Sequence, residues 1–220
     1  FCRHASNRIT ATEEALRLTE HLTAEDTVLF LLSGGGSALF EKPLIPAAEL
    51  TALTEQLLAS GADIVEMNTI RKRMSAVKGG RFAAHCAPAR VLSIVLSDIL
   101  GDPLDMIASG PAHPDTSTAA DAYGIVKKYH LRLSAEASKL LDTPLPSSLP
   151  NVTTHITGSV RELCAAAAAA AERRGYAPVL LTDQLDLEAR AAGQFLACIA
   201  RTHAADSAST AYIAGGETIV

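Results

Sequence analysis

Short unbroken apolar runs alternate along this sequence with longer stretches of helical period, and that alternation restricts the chain to a layered α/β architecture. The runs at 27–32, 90–96, 153–157, 178–182 and 210–214 read as strands. The stretches at 10–22, 47–60, 119–129, 134–141, 160–174 and 187–203 read as helices, with Gly61 placed to stop the second of them. Apolar runs without alternation fit strands buried on both faces, so the sheet is expected to be largely parallel and covered on both sides. A further basic helix is expected to be capped by Asn68 or Thr69 and to end at Gly79-Gly80. Residues 143–151 hold three prolines and two serines and read as a linker between a region 1–142 and a region 151–220.

Composition narrows the function. Hydrophobic residues make up 48% and aromatics only 4%, so the core is aliphatic. A net charge of -5 speaks against a polyanion-binding protein, and no nucleic-acid partner is expected. Cys2, Cys86, Cys164 and Cys198 form no CxxC pair, and the seven histidines show no ligand spacing. The longest apolar run, polyalanine near 165–171, is too short to span a bilayer. The expectation is a cytoplasmic protein in a reducing compartment. Because the chain starts at Phe1 and stops at Val220 in a strand or its exit, it is read as a fragment.

Polar residues gather where the expected strands end. The run Ser33-Gly34-Gly35-Gly36-Ser37 follows the first strand directly. Consecutive glycines let backbone N–H groups approach a phosphate or carboxylate, and strand ends are where open α/β sheets bind ligands. The run has neither the Walker nor the GxGxxG spacing, so a plain tight turn is the other reading. Arg71, Lys72 and Arg73 point in different directions around a helix, so one of them is expected to be a solvated charge. Arg71 and Lys72 are expected to face an anion, and Lys78 precedes two glycines that permit close approach. A basic face with a Gly-Gly helix stop would explain the same residues. Asp98 at the end of the second strand suits Mg²⁺ or a hydroxyl proton, although an aspartate there is also a common turn former. Ser109-Gly110-Pro111 reads as a rigid turn inside a long loop, and Glu217 follows a second glycine pair as a metal or hydroxyl ligand.

These motifs, in this order, carry a resemblance. The segments 31–39, 66–72, 75–80, 97–102, 107–111 with Pro114-Asp115, and 215–218 together resemble the class II glycerate kinases, or MOFRL family, whose members also carry the name hydroxypyruvate reductase. The resemblance implies a Rossmann-like three-layer α/β/α domain plus part of a second α/β domain, with the active site in the cleft between them. It also implies ATP, Mg²⁺ and D-glycerate, giving 2-phosphoglycerate. The family's ligand-facing positions fall on Ser33, Gly34, Gly35, Gly36, Ser37, Asn68, Arg71, Lys72, Lys78, Asp98, Ser109 and Glu217. Asp98 and Lys72 are taken as catalytic, and Asp98 and Glu217 as metal ligands. Arg73 stands where the family usually has His and is read as a surface position. The family's N-terminal Gly-Lys-Ala segment would lie upstream of Phe1, so the chain alone is expected to be inactive. The rival readings are an NAD(P)H-dependent hydroxypyruvate reductase and a non-catalytic sugar-acid or nucleotide-binding module.

Overall fold

A computed structural model describes residues 2–33, 36–97 and 104–218, with side chains from residue 8 onward. Among these residues the chain folds as α/β with parallel strand pairs, as the alternating pattern requires. It divides into two compact units, Phe1–Val95 with Leu104–His155, and Leu96–Pro103 with Ile156–Val220.

In the first unit, β1 (Thr27–Leu32) runs parallel to β2 (Arg90–Leu96), from Thr27 opposite Arg90 to Leu32 opposite Val95. The third strand, β3 (Val152–Gly158), completes the sheet order β1-β2-β3. Expected burial on both faces of β1 is corrected here, because Leu29 and Leu31 are well exposed while Val28 and Phe30 turn inward. Among the described residues β1 packs one face only, and its apolar run behaves as an alternating strand.

Two apolar clusters hold this unit. One lies among α3 (Ala47–Ala59), α4 (Ile64–Arg73), α6 (Ala119–Lys128) and α7 (Ala135–Leu141) and is built on Leu53, Leu57, Ile70, Met74 and Leu141. The other joins Val77, Phe82 and Val91, with Phe30, Phe40 and Phe82 meeting in tilted and edge-to-face contacts at 4.9–5.7 Å between ring centres. Aromatics are scarce in this chain, and three of them converge beneath the site described below.

Helix ends explain two departures from expectation. The basic helix α4 is capped by Asp63, not by Asn68 or Thr69: its carboxylate accepts from Glu66 N while Glu66 returns a bond to Asp63 N. That capping box starts the helix five residues earlier and places Asn68 and Thr69 inside it, both buried. α4 also ends at Arg73 rather than at the glycines. Gly79 and Gly80 instead open the short helix α5 (Arg81–His85), with Gly80 at a left-handed φ of 81° that disfavours any side chain. The first helix, α1 (Cys2–Leu18), lies earlier than the hydrophobic pattern suggested and gives way to a turn with His21 at positive φ.

In the second unit, β4 (Ala177–Leu185) runs parallel to β5 (Thr210–Gly216) beneath α8 (Val160–Glu172), and α9 (Ala189–Thr202) connects the two strands. Cys164 of α8 sits against Gly215, where even a methyl group would overlap its sulfur. No helix among the described residues is long and apolar enough to cross a membrane.

Candidate functional site

Lys78 organises the first unit's polar centre. Its side chain has no exposed surface. The ammonium donates to Ser37 O at 2.8 Å, Phe40 O at 3.3 Å and Ala108 O at 3.4 Å, so its three protons have three carbonyl acceptors. The first carbonyl belongs to α2 (Gly36–Leu39) and the second to Phe40 just past its end, and carbonyls of so short a helix lack intrahelical partners. Burial draws the Lys78 pKa down to about 8; Glu41, whose carboxylate lies 3.7 Å away, pulls it back up, and Arg71 pushes it further down.

The third carbonyl belongs to a strained turn. Ala108 and Ser109 adopt left-handed φ values of 51° and 62°, costing of order 1–2 kcal/mol per residue, and Gly110 continues at 61°. The segment after Lys78 holds this turn in place: Gly79 N donates to Ser109 O at 3.0 Å, Gly80 N to Gly110 O at 2.7 Å, and Ala83 N to Pro111 O at 3.2 Å. The Lys78-Gly79-Gly80 and Ser109-Gly110-Pro111 motifs are therefore two sides of one backbone clasp. Within it Ser109, fully buried, bonds Asn68 Oδ1 at 3.0 Å and Ser37 Oγ at 2.9 Å. Four residues singled out in the sequence, Ser37, Asn68, Lys78 and Ser109, thus meet at one point.

Gly36 is required by close approach. A Cβ there would lie 2.9 Å from the Ala108 Cβ. Gly36→Ala is expected to destabilise the protein by about 1–3 kcal/mol through overpacking, read as a lower denaturation midpoint. An unchanged midpoint would show that the turn has slack and that packing against Ala108 does not explain this glycine.

The three consecutive cations of α4 separate as their helical spacing demands: Lys72 and Arg73 are buried, and Arg71 is half-buried at an open cleft. Lys72 is buried and its ammonium pairs with Asp115 at 2.8 Å and Asp105 at 3.4 Å. Arg73 is not a surface position. It is 1% exposed and donates to the carbonyls of Leu141, Thr143 and Ser117 at 2.8–3.1 Å, stitching α4 to the end of α7 and to the loop before α6. Ser117 in turn donates to Asp115. Burial raises the Asp115 pKa, but the Lys72 hydrogen bond and the Ser117 donors outweigh it and hold the carboxyl below its ordinary value.

Arg71 faces one open cleft, and Lys72 lines another beside Asp105 and Asp115. A cleft of about 250 Å³ lies among α1, α2, α3 and Arg71, and Ser37 and Glu41 also line it. The Arg71 Nε and both Glu41 carboxylate oxygens are buried without a hydrogen-bond partner. Glu41 was not singled out in the sequence, where it reads as one more charge between Phe40 and Lys42. Its position is fixed by a bridge between the segments after α2 and α4, with Leu44 N on Met74 O and Ala76 N on Lys42 O, both at 2.8 Å.

The remaining expected residues lie elsewhere. Ser33 is exposed at the end of β1; Gly34, Gly35 and Asp98 lie outside the described residues. Glu217 belongs to the second unit, exposed, with its backbone N on Leu185 O at 3.0 Å. Among the described residues no group of three acidic, His or Cys side chains could hold a metal.

A family profile described as a domain of unknown function, DUF4147, matches residues 5–142. The chain is 46% identical to a D-glycerate 2-kinase of Thermotoga maritima over 97% of its own length and 53% of that protein's. It is 37% identical to an Agrobacterium vitis protein with a provisional hydroxypyruvate reductase name, over 96% of this chain and 50% of that one. A crystal structure of glycerate kinase from Thermotoga maritima superposes with a TM-score of 0.91 at 46% identity, covering 97% of this chain and 53% of that one. The chain spans about half the length of the curated relatives it matches.

Proposed function

This chain belongs to the DUF4147 family, and on that premise we propose that it forms part of a glycerate 2-kinase, transferring a phosphoryl group from ATP to D-glycerate. The observation that carries the reading is its 46% identity to a D-glycerate 2-kinase across 97% of the chain. The geometry supports it in a specific way. Phosphoryl transfer asks the protein for positioning and charge neutralisation rather than covalent chemistry. The first unit supplies a hydrogen-bonded polar centre and, beside a small cleft, a guanidinium whose buried Nε has no partner.

In this reading Arg71 binds the glycerate carboxylate, a task suited to a guanidinium fork. Ser37 adds a hydroxyl, and Lys78, Asn68 and Ser109 keep Ser37 and the strained turn in register. Asp98 and Glu217 are the carboxylates assigned to Mg²⁺, which neutralises phosphate charge when bound. Mg²⁺ commonly takes only one or two protein carboxylates beside phosphate and water, so two suffice. The Ser33-to-Ser37 run, without dinucleotide spacing, favours phosphate over a nicotinamide cofactor.

The test is ADP release from Mg-ATP and D-glycerate by the full-length protein. Asp98→Asn should lower kcat at least 100-fold, in line with loss of an electrostatic group at the reacting phosphate. NADH oxidation by hydroxypyruvate in the absence of ADP release would overturn the kinase reading in favour of a reductase.

A further inference from the structure

Among the described residues Glu41 is a buried carboxylate that has an ion pair, to Lys78 at 3.7 Å, but no hydrogen bond. Both its oxygens are buried without a hydrogen bond, and its nearest cation, Lys78 Nζ at 3.7 Å, has already placed its three protons on carbonyls. A buried carboxylate without donors is costly, and native structures retain such groups where something else completes them. Arg71 shows the complementary deficit across the same cleft, a buried donor with no acceptor. The missing occupant therefore brings an anionic acceptor for Arg71 and at least one proton donor for Glu41. The cleft, about 250 Å³ and open to solvent on one side, has room for a molecule of a few carbons.

We infer that this cleft binds a small 2- or 3-hydroxy acid, with the carboxylate on Arg71 and a hydroxyl donating to Glu41, making Glu41 the residue that selects for the hydroxyl. The inference rests on the glycerate-kinase reading for its choice of a hydroxyl over an ammonium group. A hydrogen bond to a charged acceptor is stronger than one to a neutral group, and a site built to receive it discriminates against ligands lacking the donor. The Glu41 backbone is anchored for this purpose, its N–H donating to the buried Thr12 hydroxyl at 3.1 Å.

Calorimetric titration of the full-length protein with D-glycerate, propionate and D-alanine tests this without turnover. The wild type is expected to bind D-glycerate at least tenfold more tightly than propionate. Glu41→Gln should weaken D-glycerate about tenfold or more and leave propionate within twofold. Arg71→Gln should weaken both acids alike. Equal losses for both acids in Glu41→Gln, or no loss at all, would assign Glu41 to balancing Lys78 and overturn the inference. Tighter binding of D-alanine than D-glycerate would overturn it too, placing an ammonium group where the hydroxyl is proposed. If Glu41→Gln does not fold, Glu41→Asp is read by the same criterion, a selective loss of D-glycerate supporting the inference and an equal loss sinking it. Hydroxyl-selective binding without ADP release would sink the kinase reading alone. ADP release with an unselective Glu41→Gln would sink only the role of Glu41.

Discussion

Lys78→Met is expected to cost about 3–5 kcal/mol of folding stability, the range for removing one partner from a buried charged cluster. The substitution keeps the volume of the side chain and removes the charge. Three carbonyls, of Ser37, Phe40 and Ala108, lose the donor they share, and Glu41 loses its nearest cation. Each unsatisfied buried acceptor carries a desolvation cost of about 1–3 kcal/mol where no water replaces the donor. Relaxation of the short helix α2 recovers part of that sum, since its end can fray. The left-handed turn at Ala108 and Ser109 would lose one of its ties, so its strain favours release.

Denaturant titration measures the loss, and its pH dependence checks the cause. Burial lowers the folded Lys78 pKa to about 8, whereas an unfolded lysine titrates near 10.4. Between those values the unfolded chain holds more protons, so wild-type stability gains from this residue as pH rises through that window. Lys78→Met has no such group. The difference between the two proteins should widen from pH 8 to pH 10, and a constant difference would mean that Lys78 is not desolvated as described.

Much of this architecture was legible. The strands at 27–32 and 90–96 and the glycine stop at Gly61 followed from apolar runs and punctuation, because such signals are local. The cap of α4 was also legible and went unused: Asp63 and Glu66 stand three apart, the spacing of a capping box. Arg73 is a different case. Its acceptors come from residues 44 to 70 positions away, and no period along the sequence encodes that encounter. The motifs of the site could be named from the sequence, but not their mutual bonding. Nothing in the order of Gly79-Gly80 and Ser109-Gly110 says that the first segment donates to the second. Glu41 is not legible because a glutamate beside Lys42 in a short loop reads as a solvated charge, and only burial reveals the missing hydrogen bonds.

Asp115→Ala is expected to destabilise the protein by about 3–5 kcal/mol, because Lys72 would remain buried with only Asp105 at 3.4 Å. The loss also reaches Arg73, which shares Ser117 with Asp115. The wild type should lose this contribution on acidification. A folded carboxyl held below its ordinary value stabilises fully above the unfolded pKa near 3.9 and ceases to do so as pH falls through the folded value. Lys72→Met combined with Asp115→Leu removes both charges and should be closer to wild type in stability than Asp115→Ala, since apolar side chains can replace a buried pair. That double variant also decides what Lys72 does. If Lys72 only positions the loop carrying Ser109, restored stability should restore most of kcat in the full-length protein. If its ammonium acts on the transferring phosphoryl group, kcat should stay depressed at least 100-fold in a protein that is folded as firmly as the wild type. The second result would give Lys72 a catalytic role despite its two carboxylate partners, and the first would make it part of the frame.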